Sequence, residues 1–169
     1  MDEREMELLV QKAKNKDTEA FTAIYKTVYR NMYQFAYYTL GNQQDAEDAV
    51  SEAVMDAFYG LHKLQEAKAF KSWIFKILAA KCKRKLKGYL TKTLPLNVDL
   101  ETTAVNVEEN MDVRNAFLRL NLKERMIISL SILSGYKSIE IGQILHMNHN
   151  TVRSIHSRAL EKMKVMLKS

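Results

Sequence analysis

The sequence predicts an all-α fold made of two small helical domains joined by a flexible acidic linker. The chain has five Gly and one Pro in 169 residues, which are few of the turn residues that a sheet-rich protein needs. Apolar residues recur every three or four positions over long segments, which is the period of a helix. The period stops near residue 91, where Pro95 lies among Thr, Val and acidic residues. We therefore expect domains at residues 1–92 and 111–169 and a linker at 93–110.

The first domain contains three long helical patterns. The first runs from Asp17 to Leu40, with Asp17 or Thr18 as its N-cap and Gly41 at its end. The second, NQQDAEDAVSEAVMDAFYGL, has an Ala- and Val-rich stripe that we expect to be buried. Its other face is acidic and carries Asp45, Asp48, Glu52 and Asp56. Carboxylates in a first helical turn suit the helix dipole, but Glu52 and Asp56 lie beyond that turn, so the stripe suggests a basic protein partner.

The third pattern, AFKSWIFKILAAKCKRKLKGYL, starts in apolar helical register and then becomes basic on nearly every side. No acidic residue occurs from Lys68 to Lys92, and the whole chain carries a net charge of +6. Cations beside aromatic surface suit backbone phosphates and unstacked bases. The candidate nucleic-acid-binding residues here are Trp73, Lys76, Lys83, Arg84 and Lys87. Two alternatives are a solvated basic face and, for Trp73, a place in the core.

The second domain begins with apolar helical spacing from Val113 through Ile132 to Gly135. Two short helical patterns follow: Ser138 is expected to cap IEIGQIL, HMN is a tight turn, and Asn148 can cap a longer helix. Gly142 lets the first of these two helices cross close to the second. The residues expected to face inward on the longer helix are Val152, Ile155, Ala159, Leu160, Met163 and Leu167. This order predicts a helix-turn-helix.

The outer face of the last helix is the candidate DNA-reading surface. If Val152 and Ile155 point inward, then Arg153, Ser154, Ser157 and Arg158 must point outward. Arginine can bridge O6 and N7 of guanine, and a helix fits the major groove. The helix N-terminus near Thr151 offers free backbone N–H groups that suit a phosphate. The alternative is an ordinary helical hairpin with solvated arginines.

Enzyme and cofactor functions find no support in the sequence. The chain contains no Gly-rich phosphate loop, no dinucleotide-type Gly pair and no Cys/His pattern with metal-ligand spacing. His146, His149 and His156 lie near the helix-turn-helix, but the sequence supplies no fourth ligand, so no metal is expected there. We predict a protein that is not an enzyme and needs no cofactor.

The single cysteine, Cys82, and the hydropathy of the chain together indicate the cellular compartment of the protein. A single cysteine cannot form an intramolecular disulfide, which is typical of a reducing compartment such as the cytoplasm. The lysines around Cys82 are expected to lower the pKa of its thiol, although a plain helical cysteine is favoured over a reactive one. The charged N-terminus and the short apolar runs predict neither export nor membrane insertion.

The order of these segments resembles that of bacterial sigma factors of the extracytoplasmic-function group, which carry only regions two and four. The resemblance rests on DAEDAVSEAVMDAF, FKSWIFKILAAKCKRKLK and LKERMIISLSILSGYKSIEIGQILHMNHNTVRSIHSRALEKM, and it spans about Asp17 to Met163. It implies that residues 1–92 form region two and residues 111–169 form region four. It also implies an initiation subunit of bacterial RNA polymerase, with catalysis left to the polymerase.

The resemblance implies a role for each candidate surface. Asp45, Asp48 and Glu52 would dock on the clamp helices of the largest subunit of core RNA polymerase. The helix from Phe70 to Ile77 and the segment His62 to Ala69 before it would meet the minus-ten element of promoter DNA and help to open it. The last helix would read the minus-thirty-five element through Arg153, Ser154, Ser157 and Arg158. Many relatives are held inactive by an anti-sigma factor, which is an expected partner here too.

Three positions differ from the usual pattern of the group: Ala80 and Arg84 in the minus-ten helix, and Ser51 in the clamp-binding helix. We therefore expect contacts near Ala80 and Arg84 to be directed mostly to phosphates. Two other classes of protein stay open as alternatives. A free-standing helix-turn-helix regulator would account for the C-terminal half, and a helical protein-protein adaptor would account for the acidic stripe.

Overall fold

A computed structural model of the protein describes residues 1–92 and 111–168, and the described residues form α-helices and short helical turns without any strand. The helices are α1 (Glu3–Lys14), α2 (Thr18–Leu40), α3 (Gln43–Gly60), α4 (Phe70–Lys92), α5 (Met111–Leu118), α6 (Leu122–Ile128), α7 (Ser138–Leu145) and α8 (His149–Lys168). Two 3₁₀ turns, Leu61–Lys63 and Ala67–Ala69, connect α3 to α4. The all-α prediction is confirmed, and the predicted linker at 93–110 lies outside the described residues.

The first helical unit is built around α2, α3 and α4, whose apolar faces meet in one core. Phe35 on α2 is fully buried, and its ring meets that of Phe75 on α4 edge to face at 5.9 Å. The predicted caps of α2 are confirmed: Asp17 Oδ1 accepts a hydrogen bond from the Ala20 amide at 3.1 Å. Gly41 ends α2 with φ 82°, a left-handed conformation that glycine adopts without strain.

The helix α1 has no counterpart in the sequence predictions. It begins with a capping box, in which Asp2 Oδ1 accepts from the Glu5 amide at 2.8 Å and Glu5 Oε2 accepts from the Asp2 amide at 3.4 Å. Its buried residues are Met6, Val10 and Ala13. This face packs on α2 and on the turns between α3 and α4. The D-x-x-E spacing at the start of the chain is the signal that would have revealed it.

The second helical unit differs from its predicted pattern in two ways. The apolar segment before Gly135 is divided into α5, α6 and a π-helical turn at Ser129–Leu133, because Asn121 caps a new helix by accepting from the Glu124 amide at 2.9 Å. On α8, Val152 and Ala159 are buried as predicted, but Leu160 and Leu167 are exposed, so their predicted inward placement is wrong. These two leucines line an open apolar groove between α5, the π-helical turn and α8.

The two units pack against each other. Tyr38 on α2 meets Phe117 on α5 at 5.2 Å between ring centroids, and Phe75 on α4 meets Tyr136 at 5.3 Å. Arg114 on α5 donates a hydrogen bond from Nη2 to the carbonyl oxygen of Gly41 at 3.3 Å. Aromatic contacts of this geometry add to the free energy of burial, so the second unit is seated on α2 and α4.

Candidate nucleic-acid interface

The helix-turn-helix is formed by α7, a short turn and α8. The turn passes so close to α7 that a Cβ built on Gly142 would lie 2.5 Å from the Met147 carbonyl oxygen. The Met147 amide donates to the Gly142 carbonyl oxygen at 2.8 Å, and His146 takes the left-handed conformation with φ 57°. The predicted need for glycine at this position is confirmed. The backbone that leaves no room for a Cβ belongs to the turn at Met147 as well as to the start of α8 at His149. The start of α7 differs by one residue, since Ser138 begins the helix and Lys137 occupies the cap position.

The candidate DNA-reading residues of α8 share one exposed face. Asn148 Oδ1 accepts from the Asn150 amide at 2.8 Å, so the predicted cap at Asn148 is confirmed. The side chains that are exposed at the start and middle of the helix are Thr151, Arg153, Ser154, Ser157 and Arg158. Arg158 Nε donates to the Ser154 carbonyl oxygen at 3.3 Å, which holds this guanidinium along the helix. Arg158 is exposed, and its positive charge also acts on the Glu124 carboxyl; a guanidinium has further N–H groups that can donate to a base edge or a phosphate.

An ion pair between a buried carboxylate on α6 and an exposed lysine on α8 connects these two helices. Glu124 is 4% exposed, and its Oε2 lies 2.8 Å from Lys162 Nζ. Burial by itself raises the pKa of the Glu124 carboxyl. The hydrogen bonds from Lys162 and from the Asn121 amide, together with the positive charges of Lys162 and Arg158, outweigh burial and lower the pKa below its usual value. Glu124 is thus ionised and tied to both helices. The sequence predictions missed this pair, although the N-x-x-E capping spacing pointed to Glu124.

The candidate minus-ten residues lie along α4 with unequal exposure. Arg84 and Lys87 are exposed, whereas Lys76 and Lys83 are half-buried. Trp73 is also half-buried: its ring centroid lies 6.1 Å from that of Phe70, and its Cζ2 lies 3.8 Å from the position of a Cβ on Gly60. Trp73 thus packs against the core of the first unit without being fully buried. A stacking role for its ring stays a prediction.

The acidic stripe of α3 is not uniformly free. Lys81 Nζ lies 2.7 Å from Asp56 Oδ2, and Lys85 Nζ lies 3.4 Å from Glu52 Oε1. Two of the four carboxylates are therefore paired with lysines of α4, inside the same unit. Asp45 caps α3 together with Asn42, whose Nδ2 donates to Asp45 Oδ2 at 2.6 Å. Asp48 is exposed on the outer face of α3.

Cys82 lies in the core, and its chemistry follows from that position. The side chain is fully buried, and burial raises the pKa of the thiol to about 12, although Lys85 acts in the opposite direction. The expectation that surrounding lysines lower the pKa is therefore wrong, because desolvation of a thiolate outweighs one partly exposed ammonium. Cys82 is a protonated core residue.

Within residues 1–92 and 111–168, no three His, Cys, Asp or Glu side chains come together in a way that could hold a metal ion. Among the helices described, none combines the length and the apolar character needed to cross a bilayer.

Two protein-family models match this chain, one on each helical unit. Sigma-70 region 2 matches residues 24–89, and Sigma-70 region 4 matches residues 110–163. The first match includes most of α2 together with α3 and α4. The second includes the helix-turn-helix.

Two ECF sigma factors are similar to this chain over most of their length. The ECF RNA polymerase sigma factor SigW of Bacillus subtilis is 26% identical over 185 residues, covering 96% of this chain and 99% of its own. The ECF RNA polymerase sigma factor SigM of Mycobacterium tuberculosis is 25% identical over 154 residues, covering 89% of this chain and 79% of its own. The fold is similar to that of the sigma factor RpoE, solved with the anti-sigma factor NepR from Bartonella quintana, with a TM-score of 0.77, 23% identity, and coverage of 88% and 96% of the two chains.

Proposed function

Because the chain belongs to the extracytoplasmic-function (ECF) sigma factors, as its motifs predicted, we propose how its surfaces divide the work of promoter recognition. ECF sigma factors bind core RNA polymerase and direct it to a promoter, and this chain has both sigma regions. In our proposal α8 reads the minus-thirty-five element, α4 and the segment before it contact the minus-ten element, and α3 docks on the clamp helices of the largest polymerase subunit.

The observation that carries this proposal is the outer face of α8. Arg153 and Arg158 are both exposed and, with Ser154 and Ser157 between them, line one open surface of the helix. The Glu124–Lys162 pair fixes α8 on its own unit, and the close turn at Gly142 fixes it on α7. A positioned helix with two arginines can read guanine edges in a major groove, whereas loosely held arginines would contact phosphates without selectivity.

The proposed contacts of α4 are of a different kind. Lysine is a point charge that binds phosphate without reading a base. Lys76, Lys83 and Lys87 therefore supply affinity and its salt dependence. We assign the Arg84 guanidinium to a phosphate as well, and the half-buried Trp73 offers aromatic surface beside these cations. Ala80 is exposed and has no polar atom in its side chain. This supports phosphate-directed recognition at the minus-ten element.

The proposed polymerase contact centres on Asp48. It is exposed, while Glu52 and Asp56 already face lysines of α4. A salt bridge at 3.4 Å between an exposed carboxylate and a half-buried lysine is weak, so Glu52 can exchange Lys85 for a basic partner at little cost. Asp45 and Asp56 complete the acidic stripe.

Three further properties belong to the proposal. An anti-sigma factor, like the one bound to RpoE, would control this chain. The chain would act in the cytoplasm, and it would have no catalytic activity of its own.

Run-off transcription with purified bacterial core polymerase tests the proposal. A promoter is first selected by the wild-type holoenzyme from a pool of randomised templates, and single-base variants of its upstream element are then made. Arg153→Ala and Arg158→Ala are compared with Lys83→Ala and Lys87→Ala at two salt concentrations. At least one Arg variant should lose about 1–3 kcal/mol at the preferred bases and discriminate less among templates, while the Lys variants should weaken all templates alike.

Three results would contradict parts of this assignment. Uniform loss of activity by both Arg variants would show that α8 contacts only the backbone. Specific nanomolar DNA binding by the chain without polymerase, at physiological salt, would favour a free-standing regulator. Absence of both transcription and DNA binding would favour a helical adaptor.

A further inference from the structure

Lys14 connects α1 to the segment between α3 and α4, fifty residues away in the chain. Its Nζ donates a hydrogen bond to the carbonyl oxygen of Leu64. Leu64 lies between the two 3₁₀ turns, in extended backbone conformation with φ −69° and ψ 118°. The backbone bonds of these turns run from the Leu64 amide to the Leu61 carbonyl oxygen and from the Ala69 amide to the Glu66 carbonyl oxygen. Neither of these bonds uses the Leu64 carbonyl oxygen, which accepts the hydrogen bond from the Lys14 ammonium.

Packing supports the same connection. Leu61, Leu64 and Ala67 are 3%, 6% and 7% exposed, and the turns that contain Leu61 and Ala67 pack against α1. The segment between α3 and α4 is therefore attached by apolar side chains on its inner side and by one long-range hydrogen bond at its middle. A donor that carries a full charge makes a stronger hydrogen bond than a neutral one.

The C-terminal end of α1 is closed by backbone hydrogen bonds. The Asn15 and Asp17 amides both donate to the Lys12 carbonyl oxygen, and the Lys16 amide donates to that of Ala13. Lys16 takes the left-handed conformation with φ 68°, which turns the chain into α2. Lys14 thus projects from a fixed point, and its side chain is half-buried, whereas Lys12 and Lys16 beside it are exposed.

We propose that Lys14 is a positioning residue for promoter opening. Its hydrogen bond holds Leu64, and with it residues 62–69, in the arrangement in which this segment meets the minus-ten element; Lys14 itself does not touch DNA. This inference rests on the proposed function, in which the segment and the start of α4 contact the minus-ten element. It gives α1, which precedes the matched region 2, a role in promoter opening.

The test uses the full chain with core polymerase. Lys14→Met keeps most of the side-chain length and removes the ammonium, and Lys12→Met is the matched control, because it removes the same charge from an exposed position of α1. Opening of a linear duplex promoter is measured by permanganate reactivity of unpaired thymines. We expect Lys14→Met to reduce opening by roughly three- to tenfold, the range that the loss of one hydrogen bond produces, and Lys12→Met to leave it unchanged.

Two further readouts separate positioning from mere stability. On a template that is already unpaired at the minus-ten element, Lys14→Met should transcribe nearly as well as the wild type, whereas a destabilised protein would be deficient on both templates. Amide hydrogen exchange of residues 62–69, measured without polymerase, should be faster in Lys14→Met than in Lys12→Met. Lys14→Arg retains a charged donor and should recover part of the opening.

Each outcome has a definite meaning. Wild-type opening by Lys14→Met, equal deficits on both templates, or the same deficit in Lys12→Met would overturn the inference. Faster exchange of residues 62–69 in Lys14→Met together with normal opening would show that the segment is held by Lys14 but that its position does not matter for opening, which also overturns it. If the wild type transcribes neither template, the proposed function fails, and the inference fails with it.

Discussion

Gly142→Ala should destabilise the helix-turn-helix, although alanine is the better helix former. In an unobstructed helix the substitution would stabilise the protein by about 1 kcal/mol. At Gly142 the new Cβ would lie 2.5 Å from the Met147 carbonyl oxygen and 3.5 Å from the His149 nitrogen. Both neighbours are backbone atoms, so the close contact cannot be relieved by rotating a side chain. The turn between α7 and α8 would have to retreat by roughly 0.5–1 Å to reach an ordinary contact.

The magnitude follows from two opposing effects. Overpacking that displaces backbone costs about 1–3 kcal/mol, and the gain in helix propensity offsets about 1 kcal/mol of it. We therefore expect a net loss of roughly 1–2 kcal/mol in the free energy of unfolding. Because α8 begins directly after this turn, the shift should also move the exposed arginines and reduce discrimination among variants of the upstream promoter element.

Gly88→Ala is the matched control, since Gly88 also lies inside a helix and a Cβ on it would meet no described atom within 4 Å. This variant should gain about 0.5–1 kcal/mol. Urea unfolding followed by circular dichroism measures both variants, and run-off transcription on the template panel measures discrimination. Equal stabilisation by the two substitutions would refute the argument that the turn at Gly142 has no room for a Cβ.

The remaining predictions concern charged and titratable groups. Asp48→Lys should weaken capture of immobilised core polymerase without changing the urea midpoint of unfolding. Glu52→Lys should weaken capture and also lower the midpoint, because the new lysine would face Lys85. Undiminished capture by both variants would remove the role of the acidic stripe. Glu124→Gln should cost about 1–2 kcal/mol at pH 7. The pKa of Glu124 is lowered in the folded state. Its ionised carboxylate therefore contributes fully to stability above the unfolded pKa of ~4.3, and this contribution is lost as pH falls through the lower folded-state pKa. The difference in unfolding free energy between Glu124→Gln and the wild type should accordingly close toward pH 3 in acid titrations. Cys82 should react with a disulfide reagent at pH 8 only after urea unfolding, and rapid reaction of the native protein would contradict its burial.

Local signals in the sequence predict several helix ends correctly, although the predicted cap at Ser138 is displaced by one residue. Asp17, Gly41 and Asn148 act through contacts within one turn of chain, so their residue types and positions were enough to predict the caps. The same kind of signal existed at Asp2 and Glu5, and α1 could have been predicted from it. The outward face of α8 followed from helical periodicity alone.

The features that the sequence did not reveal depend on contacts between distant segments. The pairing of Asp56 with Lys81 requires α3 and α4 to lie side by side, and nothing within either helix indicates it. Leu160 has the spacing of a buried residue, but the groove it lines is not covered by any described part of the chain. Cys82 was assigned a lowered pKa from its lysine neighbours in sequence, although its side chain lies on the opposite, buried side of α4.

The burial of Cys82 makes this chain suited to site-specific labelling. It is the only cysteine among 169 residues, and a protonated thiol in the core reacts slowly with maleimide dyes. Cysteines introduced at Glu19 on α2 and Lys123 on α6, both exposed, could therefore be labelled without first removing the native one. Energy transfer between the two dyes would then report the distance between the helical units in the free chain and after it binds polymerase.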